Sequence, residues 1–265
     1  MISLTDQDFT KFQRFIYDAA GITLSSAKKA LVSGRLGKRL QPCGLDSFAA
    51  YFALLASGNA PAEVQTAVDL LTTNETYFFR EPKHFDLLRK HALASKGTQT
   101  FRVWSAASST GEEAYSIAMV LADCLEGSAW EIIGSDISSR VLDRARGGHY
   151  PVERTTHIPT AYLKRFCLKG IGEQQGTVLV ERSLRSRVKF LQVNLNEPLP
   201  QLGTFDVIFL RNVMIYFSGD TKRQVVARLL SLLKPGGYFL IGHSESLHGI
   251  SEAVRALAPS VYQKL

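Results

Sequence analysis

The spacing of apolar residues changes once along this 265-residue chain, near residue 100, and that change restricts the fold more than any single motif. Before it, every pattern is helical. Thr5 with Asp8 has the form of a capping box, and Phe9, Phe12, Ile16 and Ala19 follow at helical spacing. A second helix is expected over 26–40, ended by Gln41-Pro42-Cys43-Gly44. A third starts at Ser47 and stops at Gly58. A fourth begins at Pro61, a favoured first helical position, with Val64, Val68 and Leu71 on one face. Sequential helices with short loops predict a small bundle over residues 1–70. Beyond residue 100, strand-like runs alternate with amphipathic helices, which predicts a mostly parallel sheet. The runs are 101–105, 131–135, 188–193, 206–210 and 238–242. Ile117, Val120, Leu121, Cys124 and Leu125 mark one helix face between them. Val225, Val226, Leu229, Leu230 and Leu233 mark another, halted by Pro235-Gly236-Gly237. The stretch 169–184 fits neither helix nor crossover and reads as an inserted hairpin, with Gly170, Gly172 and Gly176 as turn points.

Composition removes several classes. With no run of about 18 apolar residues, no membrane-spanning helix is expected. The opening MISLTDQDF is neither a charged leader nor an apolar stretch, so no signal peptide is expected. Cys43, Cys124 and Cys167 are odd in number and far apart, without CxxC or Cys/His ligand spacing. Neither a disulfide framework nor a metal site is expected, and a reducing cytoplasm is the simplest location. The formal charge of +7 suits an acidic partner, nucleic acid or an anionic surface, and composition does not choose among them.

Ligands of open α/β sheets bind beyond the carboxyl ends of the strands. Here the first strand runs into Ala106-Ala107-Ser108-Ser109-Thr110-Gly111, a loop of small residues that lets backbone approach a ligand closely. It has neither GxGxxG nor the lysine of a P-loop, which argues against dinucleotides and nucleoside triphosphates. A nucleoside cofactor without phosphate fits, and S-adenosylmethionine is one. Glu113 reads either as the partner of Thr110 in a capping box or as a ligand of the cofactor's amino group. Asp136 ends the second strand, where an acidic residue grips ribose hydroxyls in dinucleotide folds; the alternative is a helix cap. Asn194 follows the third strand, and Arg211 and Asn212 follow the fourth, on the same rim.

Several motifs then occur in order. Thr73-Asn74-Glu75-Thr76-Tyr77-Phe78-Phe79-Arg80 lies between bundle and sheet. Val103-Trp104-Ser105-Ala106-Ala107-Ser108-Ser109-Thr110-Gly111-Glu112-Glu113 follows, then Arg211-Asn212-Val213-Met214-Ile215-Tyr216-Phe217, Leu233-Lys234-Pro235-Gly236-Gly237 and Gly242-His243-Ser244-Glu245. Over essentially its whole length the chain resembles the bacterial chemotaxis receptor methyltransferases, the CheR family. The resemblance implies a Rossmann-like class I methyltransferase sheet with a small N-terminal helical bundle and an inserted β-subdomain at about 166–187. It divides the chain into a helical domain (1–70), a linker carrying part of the cofactor site (71–85) and an S-adenosylmethionine-binding domain (86–265). It implies methyl transfer to glutamate side chains of chemoreceptors, with S-adenosylhomocysteine as product. By motif match, Asn74, Thr76, Arg80, Glu113, Asp136, Asn194, Leu195, Arg211 and Asn212 fall in the cofactor pocket, and Tyr216 beside the transferring methyl. Arg80 and Tyr216 are the expected catalytic residues.

The chemistry agrees with this set. A glutamate substrate, with a reference pKa of about 4.3, is ionised at neutral pH and needs no general base. In-line displacement then asks for alignment and removal of water. Arg80 suits the cofactor carboxylate through its planar fork; the alternative is a domain-bridging salt bridge. Phe78 and Phe79 read as packing, and His243 as a hydrogen-bonded structural residue. Between Ser25 and Leu45 there are five basic residues and no acidic ones, and Lys28, Arg35 and Arg39 share a helical face. Beside the resemblance, that stripe reads as a dock for acidic receptor helices, and the inserted segment as a holder of a receptor's C-terminal peptide by strand addition. A monomer is expected, without nucleic acid or membrane insertion. A base-amino methyltransferase usually carries Pro-Pro-aromatic after the fourth strand, where this chain has Arg211-Asn212-Val213-Met214. A non-catalytic ligand sensor is the remaining rival class.

Overall fold

The computed structural model describes residues 2–97 and 99–265; Met1, at the head of the N-terminal stretch, and Thr98 lie outside them. The chain opens with α1 (Asp6–Ala20), α2 (Lys29–Leu40), α3 (Phe48–Ala56) and α4 (Pro61–Leu71). Thr5 and Ser47 act as N-caps, accepting from the main-chain N–H of Asp8 and Ala50, which satisfies donors that a helix start leaves free. The second helix begins later than its sequence suggests. Residues Ser26–Lys28 form a 3-10 turn, which puts Lys28 just outside α2.

The second part comprises α5 (Lys83–Ala94), β1 (Phe101–Ser105), α6 (Glu112–Cys124), β2 (Trp130–Asp136), α7 (Ser139–Gly147), β3 (His149–Pro151), α8 (Thr160–Phe166), β4 (Cys167–Lys169), β5 (Thr177–Val180), α9 (Arg182–Arg185), β6 (Val188–Gln192), β7 (Phe205–Leu210), α10 (Gly219–Ser231), β8 (Leu233–Ile241), β9 (Val254–Ala258) and β10 (Val261–Lys264). The main sheet has the order β6-β2-β1-β7-β8-β10-β9. From β6 to β8 neighbours run parallel, and β10 and β9 close the edge antiparallel. Because side chains alternate along a strand, β1 sends Val103 to one face and Trp104 to the other. Ile132 and Ile133 divide in the same way on β2, and Val207 and Ile208 on β7. Both faces are covered, which is why these strands read as unbroken apolar runs. One face packs on α6 and α5. The other shares a single apolar cluster with the N-terminal bundle, in which Phe12, Leu36 and Tyr51 join Trp104, Ile208 and Phe239.

Three features differ from the sequence reading. The inserted hairpin gains a third strand, β3, and forms an antiparallel sheet of order β3-β5-β4. Leu233 opens β8, paired with Phe205, where its spacing suggested the last turn of the preceding helix. The C-terminal strands β9 and β10 are additional.

Candidate active site

The strand order reverses between β1 and β7: from β1 the sheet grows outward to β2 and β6, and from β7 to β8 and β10. At such a switch point the loops beyond the strand ends part and leave a crevice. A cleft lies there, lined by the β1 loop, the ends of β2, β6 and β7, and the segment after α4. It brings together every cofactor-site residue named from the sequence, namely Asn74, Thr76, Arg80, Glu113, Asp136, Asn194, Leu195, Arg211 and Asn212, along with Tyr216.

The β1 loop turns sharply at two residues of positive φ, Ser109 (49°) and Gly111 (96°). A Cβ on Gly111 would lie 2.9 Å from the Tyr150 hydroxyl, so the turn is open only to glycine. Asp136 is buried at the end of β2 and accepts from the N–H of Ser109 and of Ser138, each at 3.0 Å. Burial pushes its carboxyl up to about 6, against those hydrogen bonds. The helix-cap alternative fails for Asp136 because another aspartate does that work. Asp69, on α4, accepts from the N–H groups of Ser139 and Arg140 at the start of α7.

Glu113 does not complete a capping box either. The Thr110 hydroxyl donates to Glu112 at 2.6 Å, and Glu112 is fully buried in an ion pair with Arg154. Glu113 instead accepts from the Ser105 hydroxyl (2.7 Å) and pairs with Arg211 (3.0 Å). Its carboxyl is raised by burial, which the Arg211 charge opposes.

The two cleft arginines differ in their partners. Arg211 is buried between Glu113 and Glu81, each at 3.0 Å, and donates to the Arg80 carbonyl. Arg80 donates to the Glu75 carbonyl at 3.1 Å and stacks near Tyr77, and among the described residues it meets no carboxylate. The bridging role weighed for Arg80 thus belongs to Arg211. The linker carrying Arg80 is strapped down: Ser109 Oγ donates to the Asn74 carbonyl, Arg154 donates to that of Thr76, and the Phe79 N–H donates to Ser116 Oγ. Phe78 is buried edge-on against Tyr150, and Phe79 packs on Phe85 and Tyr162, both as apolar anchors.

After β7, Asn212 takes a φ of 58°. One carboxylate, Glu245, fixes this loop by accepting from the N–H groups of Asn212, Met214 and Gly242 at 2.7–2.9 Å. A Cβ on Gly242 would lie 2.3 Å from Asn212 Nδ2. Glu245 belongs to a sequence motif, but its role as the loop's anchor became visible only in the fold. Tyr216 sits at the end of this loop, and its carbonyl accepts from the Thr23 N–H at 2.8 Å, where Ile22 bridges Phe217. The side chain of Asn194 is committed within the protein, donating to the Ala19 carbonyl and Glu197 and accepting from the Asn196 N–H.

The basic stripe is not one free face. Arg35 donates to the carbonyls of Leu70, Leu71 and Thr72 at the end of α4, and Arg39 forms a two-pronged pair with Glu63 at 2.8 and 2.9 Å. Of the three, Lys28 is the exposed one. The three thus differ in how free they are to meet a partner: a bundle of four helices supplies internal acceptors that a helical wheel cannot show. His243 is exposed, and its N–H donates to Glu81 at 3.0 Å. Its ring approaches Glu81 and the buried His84, a grouping that spacing along the chain does not reveal. Burial, and then the Arg211 charge, hold His84 down to about 4.

Known proteins resemble this chain over nearly all of it. A family model described as the SAM-binding domain of CheR methyltransferase matches residues 74–262, and one described as its all-alpha domain matches residues 7–72. The chemotaxis protein methyltransferase of Escherichia coli K12 is 42% identical, covering 98% of this chain and 92% of its own. That of Salmonella typhimurium is 41% identical, covering 98% and 91%. Chemotaxis protein methyltransferase 2 of Pseudomonas aeruginosa is 44% identical, covering 97% and 93%.

Proposed function

This chain belongs to the CheR methyltransferase family, and from that premise we propose how its residues share the reaction. The activity is S-adenosylmethionine-dependent methylation of chemoreceptors, which converts glutamate side chains to methyl esters. The observation that carries the assignment of roles is the pairing, in one cleft, of a buried carboxylate at the end of β2 with an arginine that meets no carboxylate among the described residues.

The cleft fits the cofactor group by group. Asp136 has each oxygen held by one N–H, which leaves lone pairs for two ribose hydroxyls. Glu113, fixed by Ser105 and Arg211, accepts the amino group. Arg80 takes the carboxylate through its fork. Asn74, Thr76, Leu195 and Asn212 shape the walls, and Asn194, its side chain engaged elsewhere, contributes main chain. Arg211 is a positioning residue that holds Glu113 and the Arg80 carbonyl. When bound, S-adenosylmethionine supplies a sulfonium-activated methyl group and leaves as S-adenosylhomocysteine. The glutamate arrives ionised, so the chain has no proton to remove. Tyr216 orients the carboxylate oxygen along the line of attack, and the apolar rim of Ile22, Val213 and Phe217 excludes water.

Receptor recognition is divided between two surfaces. Lys28 and Lys38, exposed on the bundle, meet acidic receptor helices. Strand β4, an edge of the small sheet with Leu168 52% exposed on it and Ile171 82% exposed just beyond, suits a receptor C-terminal peptide added as a further strand. Free thiols and a substrate on cytoplasmic receptor helices fit a cytoplasmic protein, and one chain supplies the whole cleft, which fits a monomer. Among the described residues, no helix is long and apolar enough to cross a membrane.

The test is transfer of labelled methyl to receptor-bearing membranes, with release of the label as methanol by base. Tyr216→Phe should lower turnover while cofactor affinity stays near wild type. Unchanged turnover would remove Tyr216 from the reacting centre, and label that resists base would rule out an ester.

A further inference from the structure

We propose that Glu81, His84 and His243 form a binding site for a borderline divalent cation of the zinc type, outside the cofactor cleft and joined to it through Arg211. The three come from separate segments: the end of the linker, the first turn of α5 and the loop after β8. Their ligand atoms all lie within 4.8 Å of one another. His84 Nδ1 is 3.4 Å from Glu81 Oε2, and His243 Nε2 is 3.8 Å from the same oxygen. Around a tetrahedral zinc with bonds of about 2.0–2.1 Å, ligand atoms sit about 3.3 Å apart. The first pair already has that separation. A small rotation of the exposed His243 ring supplies the rest.

His84 is 1% exposed, and its Nε2 lies 2.8 Å from the Ser260 hydroxyl. That hydroxyl also reaches the Pro259 carbonyl at 2.6 Å, and when it donates there it accepts from Nε2–H. In that tautomer Nδ1 carries the lone pair. Among the described residues Nδ1 is buried without a hydrogen-bond partner, and it faces the Glu81 oxygen that pairs with Arg211. The two atoms face each other across 3.4 Å, and a cation held by both would give Nδ1 the partner it lacks. The Nε2–Ser260 bond is also the kind of outer contact that orients a metal-bound imidazole.

Backbone strain supports this arrangement. Glu81 (φ 58°) and Ser260 (φ 60°) both hold the left-handed conformation that non-glycine residues rarely adopt. One aims the carboxylate and the other the hydroxyl. The nearest opposing charge is Arg211, 3.0 Å from the same Glu81 oxygen. It also carries Glu113 as a second counter-ion, so the cation joins a cluster of two carboxylates and one guanidinium. Two imidazoles and one carboxylate suit zinc and its neighbours rather than magnesium, which demands oxygen ligands. His243, 54% exposed on its side chain, leaves the fourth position open to water.

Calorimetric titration of the full chain with zinc chloride should show one site, and magnesium chloride should give no binding heat. At a hundredfold excess over Kd, zinc should raise Tm by about 5–10 °C. His243→Ala, an exposed change that leaves the core intact, should weaken zinc binding by about a hundredfold and remove most of that shift. Zinc-edge absorption of the loaded protein should show nitrogen and oxygen neighbours only. Equal affinity in His243→Ala, sulfur in the zinc shell from a cysteine, or no binding below millimolar zinc would each overturn the site.

Discussion

Arg80 and Arg211 lie on the same cleft, and what each guanidinium touches decides what its loss does. Arg211 is buried against two carboxylates, whereas Arg80 donates to a single carbonyl and is half-exposed. Arg80→Ala should therefore leave the fold intact and weaken S-adenosylmethionine binding. A hydrogen bond to a charged group contributes about 1.5–3 kcal/mol, which corresponds to roughly 10- to 150-fold in affinity. Titration calorimetry on wild type and mutant checks this, and equal affinity in a folded mutant would remove Arg80 from the site. Asp136 adds a pH dependence. Its carboxyl is raised from 3.8 to about 6 by burial, so between those values the folded chain keeps a proton that the unfolded chain has lost. Its contribution to stability accordingly falls as pH rises through that window and is level above it. Cofactor binding runs the other way, since the ionised carboxylate is the better acceptor for ribose hydroxyls. Affinity should drop below pH 6 by up to about tenfold per pH unit, and Asp136→Asn should be weak at every pH. A wild-type affinity flat from pH 5 to 8 would contradict the ribose role.

At the scale of elements, α2 acts as a brace for the linker. Arg35 donates to the last carbonyls of α4, where the helix dipole favours a cation, and Thr72 and Asn74 just beyond line the cleft. Arg35→Ala should cost about 1–2 kcal/mol of stability and also weaken cofactor binding. Lys28→Glu should leave both unchanged and raise the receptor concentration needed for half-maximal methylation, an effect that added salt reproduces in wild type. Stability curves and methylation rates at two ionic strengths separate the two. If Lys28→Glu leaves the rate curves unaltered, docking lies elsewhere on the bundle. The same contrast shows what could be read from the chain itself. Strands β1, β2 and β7 were legible because burial on both faces makes them uniformly apolar. The cleft residues were legible because they sit at strand ends or in an ordered motif. Strand β9 was not, since it is an edge with most of its residues exposed and therefore has no alternation. Helix α5 places His84 among its buried positions, which blurs the apolar stripe. Arg35 reads as surface charge until α4 is laid beside it. Glu81 and His243 are 162 residues apart, a separation that no spacing rule spans.

For the whole molecule, the boundary near residue 72 divides the sequence more than the energetics. The bundle and one face of the sheet share a single apolar cluster. Polar ties cross the same seam: Asp69 caps α7, Gln65 donates to the Ile137 carbonyl, Asn194 donates to that of Ala19, and Thr23 donates to that of Tyr216. Neither part can open without exposing the core of the other, so the full chain should unfold in one cooperative step. Scanning calorimetry should give a single peak whose calorimetric and van't Hoff enthalpies agree. S-adenosylhomocysteine, whose cleft draws on both parts, should move that whole peak upward. Asp69→Ala tests the seam directly. It removes the cap of α7, a loss of about 1–2 kcal/mol, and should lower the one transition by about 2–4 °C per kcal/mol. If the peak instead splits in two, or the low-temperature half ignores the ligand, the bundle is an independent unit and the shared cluster contributes less than its burial implies.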